Sequence, residues 1–153
     1  MAIIDKPSDY FNTNLHTGTG SSQSITGVGF QPDMVWNKVR STSNNHIICD
    51  SVRGVTKLVY PDLGTAEQTE SNSITSFNSD GWTGGGSGNT NGSSQTFVSW
   101  NWKAGTSVSG NTTGSGTSKS YTGSVNTTAG FSIIRYTGNG TAGHTIPHHL
   151  GVQ

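Results

Sequence analysis

Three histidines crowd the last stretch of the chain, His144, His148 and His149 in the run HTIPHH. Imidazole is a common transition-metal ligand and the usual proton carrier near neutral pH. Pro147 interrupts the i, i+4 spacing that would place two rings on one helix face, and no Cys or carboxylate lies nearby in sequence. A turn or an interface is therefore the expected setting for these rings, and no metal is assigned. The acidic residues are Asp5, Asp9, Asp33, Asp50, Asp62, Glu67, Glu70 and Asp80. Paired carboxylates would suit glycoside hydrolysis. Most of these stand beside Gly, Pro or Ser, where Asp commonly bonds its own backbone in a turn. Asp50 and Arg53 are expected to pair and tie a turn to a sheet. Nucleophilic chemistry finds no Gly-x-Ser-x-Gly elbow, and Cys49, within Ile47-Ile48-Cys49-Asp50, reads as a small buried hydrophobe. The glycine runs TGTG and TGGGSG lack the Gly-Lys-Ser/Thr and the helix that a phosphate cradle needs. No catalytic residue and no cofactor is assigned, and the chain is not expected to be an enzyme.

Indoles are the remaining chemistry, because they stack on sugar rings while Asn and Asp bind the hydroxyls. Trp36, Trp82, Trp100 and Trp102 are available. Trp82 stands beside the glycine-rich stretch and, with Asn89 and Asn91, forms the candidate glycan contact, although core packing is the weightier role for the same ring. Trp100 and Trp102 alternate with Ser99 and Asn101 and share a face with Val98, so they are expected to point into the core.

The elements that hold these residues read as strands, because apolar and polar residues alternate in short pieces separated by Gly, Asn and Asp. Strands are expected near Phe11–Thr17, Ser21–Thr26, Met34–Val39, His46–Asp50, Lys57–Tyr60, Ser73–Asn78, Gln95–Lys103, Ser118–Val125 and Phe131–Thr137. Helical spacing is absent apart from one candidate turn at Asp50–Gly54. The fold class is all-β, an antiparallel β-sandwich of jelly-roll or concanavalin-like kind. Thr83–Ser94 reads as a long exposed loop, and Gly105–Gly116 as a flexible tether. The expected division is a β-sandwich at 1–104, a linker at 105–116 and an incomplete second unit at 117–153.

That second unit rests on a repeat. Phe131–Thr141 aligns with Phe11–Ser21 so that Phe, Thr-Gly and the next Gly coincide at constant offset. After a two-residue insertion, Gly151-Val152-Gln153 aligns with Gly29-Phe30-Gln31. Units of this size form strings of domains rather than solenoids, and a partial unit must pack on something else. The chain is thus expected to be the N-terminal part of a longer polypeptide.

Hydrophobic residues make up 29% of the chain and charged residues 10%, with 22 glycines, so a lean core is expected. Eight basic and eight acidic residues leave no surplus charge to attract nucleic acid or an anionic membrane. One cysteine allows no intrachain disulfide. The opening MAIIDKPSDY has no apolar signal core and no run reaches spanning length, so cytoplasmic synthesis without membrane insertion is expected.

The segments Lys6–Phe11, Thr17–Gly20, Val28–Trp36, Asp50–Gly54, Ser79–Trp82 and Ser99–Ala104 resemble a family of uncharacterised repeat domains in tail-fibre and other structural proteins of marine phages. Asn37 after Trp36, and Trp82 where an Asp-Gly-Phe is more usual, depart from that pattern. The resemblance implies a lectin-like β-sandwich in a virion, with other tail or virion proteins as partners and a homotrimeric state. The expected function is the virion-attached part of a tail fibre. A receptor-recognition module that binds host-surface glycan and a capsid decoration protein are the alternatives.

Overall fold

The computed structural model describes residues 4–151. Val152 and Gln153, which complete the second repeat alignment, lie outside the described residues. After a single 3-10 turn at Pro7–Asp9, the described chain is built from strands: β1 (Phe11–Thr17), β2 (Gln23–Ile25), β3 (Met34–Val39), β4 (Ile47–Asp50), β5 (Lys57–Leu58), β6 (Gln68–Thr69), β7 (Ile74–Asn78), β8 (Gly81–Gly84), β9 (Thr96–Trp102), β10 (Thr106–Asn111), β11 (Thr113–Gly114), β12 (Ser120–Asn126), β13 (Phe131–Tyr136) and β14 (His144–Thr145). The all-β, sandwich-like class expected from alternation is what the chain adopts. Asp50–Gly54 is the expected turn, closed by the Gly54 amide on the Asp50 carbonyl at 3.0 Å.

Two antiparallel sheets face one another, one in the order β1-β9-β3-β4 and the other in the order β2-β8-β7. Between them lie Val35, Ile47 and Cys49 from the first sheet and Ile25, Ile74 and Trp82 from the second, closed at one side by Leu58 and Tyr60. Val28, Val39 and Phe97 are buried as well, and polar side chains share the interior: Asn37, Ser99 and Asn101 are fully buried. The two carboxamides bond main-chain carbonyls, and the Ser99 hydroxyl accepts from Asn101 Nδ2 at 3.2 Å. Asn37 donates to Asn89 O at 2.9 Å and Asn101 to Asn12 O at 3.1 Å. Asn12 and Asn14 in turn donate to Val28 O and Thr26 O at 3.1 and 2.7 Å. A carboxamide that donates to a buried carbonyl lets loop backbone take the place of apolar filler, since the bond offsets the desolvation of that carbonyl and of the amide nitrogen. A core can therefore form in a chain with so few hydrophobic residues.

The 83–94 segment differs from the exposed loop expected there. Gly84 ends β8, and Gly85, Thr90, Asn91 and Gly92 are buried. A Cβ on Gly85 would sit 2.4 Å from Asn72 O, and one on Gly18 would sit 2.2 Å from Gly92 O. These glycines are required by close backbone approach, not by mobility.

The expected tether at 105–116 is also structured. Thr106–Asn111 pairs with β12 over six residues, and Thr113–Gly114 pairs with β14. Small polar residues carry a linker's composition, yet their amides join a ladder once a partner strand is present. The resulting sheet β10-β12-β13 follows the sandwich directly.

The repeat has a counterpart in backbone conformation. Phe11–Thr17 and Phe131–Tyr136 are both strands. At the repeat offset, Gly20 and Gly140 both have φ of 74°. Past the insertion, Gly29 at 87° matches Gly151 at 74°, and Gly27 at 85° matches His149 at 60°. A left-handed φ at a histidine is uncommon and needs support from its surroundings. His149 adopts it where the first copy has glycine.

Candidate functional site

The outer face of the β1-β9-β3-β4 sheet gathers the aromatic residues that were expected inside. In β9 the buried set is Phe97, Ser99 and Asn101, and the half-buried set is Val98, Trp100 and Trp102. Alternation divides a strand's residues into two faces without saying which one turns inward. Here the face of Phe97, Ser99 and Asn101 turns inward, with Asn101 donating to Asn12 O of β1, which leaves the indoles outside. Register then assembles a shelf: Trp36 lies opposite Trp100, and Trp102 lies between Phe11 and Met34. Trp36 and Trp100 meet edge to face, with centroids 5.9 Å apart at 65°. The Trp36 indole N–H donates to His46 Nδ1 at 3.1 Å, which fixes the ring. Trp36, Trp100 and Trp102 line a shallow hollow of about 260 Å³. Phe11 and Phe131 border it, with centroids 4.9 and 6.0 Å from that of Trp102.

Trp82 has moved the other way. It is 0% exposed and belongs to the sandwich core, in edge contact with His16. Asn91 is fully buried, donating to Ser21 O at 2.5 Å and accepting from the Thr19 amide at 3.1 Å. Asn89 is half-buried, and its carbonyl is the acceptor for Asn37. Trp82, Asn89 and Asn91 therefore form no exposed glycan contact. The indoles that can meet a ligand are Trp36, Trp100 and Trp102. The register Trp36↔Trp100 was the missing information, since only strand pairing sets two such rings side by side.

Asp50 and Arg53 form the pair at the turn, Nε to Oδ2 at 2.5 Å, and Arg53 also donates to Ile48 O at 3.1 Å. Asp50 Oδ1 accepts the Val52 and Arg53 amides at 3.0 and 2.8 Å. Every strong acceptor of this carboxylate is engaged in holding the turn. Cys49 is fully buried, and burial pushes its thiol up to about 12, so it stays protonated.

The three C-terminal histidines are separately engaged. His144 Nε2 bonds the Thr112 hydroxyl at 2.5 Å and His149 Nε2 bonds the Tyr121 hydroxyl at 2.7 Å, while His148 Nδ1 accepts the Leu150 amide at 3.1 Å. No group of three or more His, Cys, Asp or Glu with metal-binding geometry occurs among the described residues.

A second concavity, about 630 Å³, lies where the sandwich meets the C-terminal sheet, and its walls include Asp33, Ser51, Ser107, Ser109, Thr122, Ser124 and Arg135. Asp33 is committed there as a strut. Its Oδ1 accepts from the Ser51 and Ser124 hydroxyls at 2.8 and 3.3 Å, and its Oδ2 from the Ala104 amide at 2.9 Å.

A family model described as a domain of unknown function, DUF7483, matches residues 6–153. The chain belongs to the DUF7483 family. The match runs without a break from the sandwich through β10 and β11 into the C-terminal sheet. No curated protein and no solved structure matches the chain. Within this DUF7483 domain, the outward indole shelf and the polar joint at Asp33 each present a definite chemistry. The shelf offers flat apolar faces to a ring or an aromatic side chain. No helix among the described residues is long and apolar enough to cross a membrane.

Proposed function

We propose that this DUF7483 chain is an architectural unit of a phage virion, in the virion-attached part of a tail fibre. Units of this kind would be strung along one polypeptide and packed as homotrimers against other tail proteins. The observation that carries this reading is the backbone correspondence between β1 with its following turn and β13 with its own. Similar left-handed positions at Gly20 and Gly140, Gly27 and His149, and Gly29 and Gly151 support a repeated element rather than a chance run of similar residues. The phage setting comes from the sequence resemblance. The reading assigns the chain no catalytic step. Mass spectrometry of purified virions, joined to a virion reconstruction, tests it. The expected result is a polypeptide well above 16.0 kDa with density in the tail. Density on the capsid surface would favour a decoration protein, and absence from the virion would sink both placements.

One observation favours a second reading, recognition of host-surface glycan. Trp36, Trp100 and Trp102 present an apolar hollow on the outer face of the sheet, and indole faces stack on the C–H faces of pyranose rings. Glycan-array binding that disappears in a Trp36→Ala/Trp100→Ala variant with an unchanged melting temperature would establish it.

A further inference from the structure

β13 ends its sheet: the strand order is β10-β12-β13, and the far side of β13 pairs with no strand among the described residues. Natural edges are commonly blunted by proline, by charge or by a bulge. β13 reads Phe-Ser-Ile-Ile-Arg-Tyr, with one charge and no proline, and its register with β12 is unbroken over six pairs. Tyr136 at its end is 48% exposed.

The direction of its backbone groups can be worked out. The Ile133 carbonyl would come within 2.5 Å of a Cβ placed on Gly123, so it points toward β12. Alternation then turns the amides and carbonyls of Ser132, Ile134 and Tyr136 to the open side. In the first copy, the Tyr10 carbonyl accepts from the Lys103 amide and the Gly18 amide donates to Gln95 O. The even-numbered residues of β1, Asn12, Asn14 and His16, therefore face β9. Their repeat counterparts are Ser132, Ile134 and Tyr136. The edge that β13 leaves open is the edge by which β1 holds β9, with the same parity.

We infer that the open edge of β13 is an acceptor for an antiparallel strand of the β9 type, supplied by a neighbouring unit of the same family. The inference rests on the repeat reading above and adds the contact by which units join. Such strand addition draws its affinity from main-chain hydrogen bonds and its selectivity from alternate side chains. In the register of the first copy, the final tryptophan of the incoming strand would stand opposite Phe131, as Trp102 stands opposite Phe11.

The test is amide hydrogen exchange of the full chain, read by NMR, with a synthetic peptide of residues 95–103 as the probe. In the free protein the amides of Ile133 and Arg135, which face β12, exchange slowly, and those of Ser132, Ile134 and Tyr136 exchange fast. Saturating peptide is expected to slow the second set by about tenfold or more. Residues 97, 99 and 101 of β9 face β1, so a peptide N-methylated at Phe97 and Ser99 should give no protection, while one N-methylated at Val98 and Trp100 should still bind. No protection by the unmodified peptide, equal protection by a peptide of residues 106–111, or indifference to the position of methylation would each overturn the inference. The fibre reading is decided separately, by the virion mass and density, so a failure here with tail density present removes only the strand-accepting edge.

Discussion

Truncating Trp82 and truncating Trp36 should differ sharply in their cost. Trp82 is fully buried among Ile25, Ile74 and their neighbours, so Trp82→Ala opens a core cavity and is expected to cost about 3–5 kcal/mol, a large share of a small domain's stability. Trp36 is half-buried on the outer face, and Trp36→Ala should move the urea midpoint far less. Comparable midpoints for the two variants would refute this assignment of faces. His16 is the residue whose titration should matter. Its ring stacks on Phe97 at 4.9 Å, its Nε2 lies 3.1 Å from Thr90 O, and its Nδ1 is buried without a partner. Burial lowers its pKa below the ordinary 6.5, against an opposing pull from the Thr90 carbonyl. The neutral ring is the folded form, whereas the unfolded chain takes up a proton near 6.5, so the unfolded state binds more protons as the pH falls below that value. Stability is therefore expected to be full at neutral pH and to decline as the pH drops from 6.5 toward the folded value. Melting curves at pH about 7.5 and about 5.5 should show the decline in the native chain and a smaller one in His16→Gln.

At the scale of elements, the stretch Asp80-Gly81-Trp82 joins the two ends of a turn to the core. The Asp80 carboxylate accepts the Gly27 and Gly29 amides at 3.0 and 2.6 Å, on either side of the fully buried Val28. Gly81, with φ of 140°, passes so close that a Cβ would lie 2.0 Å from Ile25 O. Those amides, Gly27 first and then Gly29, hold the Asp80 carboxyl below its usual 3.8. A lowered carboxyl pKa stabilises the fold above the unfolded value, and the contribution fades as the pH falls through the folded one. Asp80→Ala should lower the melting temperature at neutral pH, and the difference from the native chain should shrink in strong acid. An unchanged melting temperature at neutral pH would mean that the turn does not need its clamp. Strands β1 and β3 coincide with the alternation in sequence, because bulky residues and flanking turn residues mark both ends. The 83–94 and 105–116 segments were not legible, since Gly, Ser and Thr have the same composition in a linker as in backbone packed against a sheet. The indole shelf was half legible: Trp100 and Trp102 shared a face in the sequence, but its direction depended on Asn37 and Asn101 finding carbonyls inside, with Ser99 accepting from Asn101.

For the whole molecule, the question is whether the sandwich and the C-terminal sheet move as one. The joint is narrow: Asp33 spans Ser51, Ala104 and Ser124, the Gly105 amide donates to the Ser124 hydroxyl at 2.9 Å, and Phe131 stacks on Trp102. Asp33 is 8% exposed, and its own amide donates to Trp102 O at 2.8 Å, so the carboxylate is held in place from both strand ends. Hydrogen bonds to a charged acceptor contribute roughly 1.5–3 kcal/mol, and removing that acceptor also leaves buried donors unpaired. Ser124→Ala removes one strut and should cost about 1 kcal/mol. Asp33→Ala removes the hub. It is expected to turn one cooperative unit into two, with the amides of β10, β12 and β13 exchanging before those of β1, β3 and β9 and with protease cleavage at Gly105-Thr106. A unit joined by a stiff strut passes bending on to its neighbour, whereas a free tether would absorb it, and such stiffness would suit the fibre segment proposed above. If Asp33→Ala still exchanged and melted as one body, the Phe131–Trp102 stack would be the joint, and Phe131→Ala should then separate the two sheets.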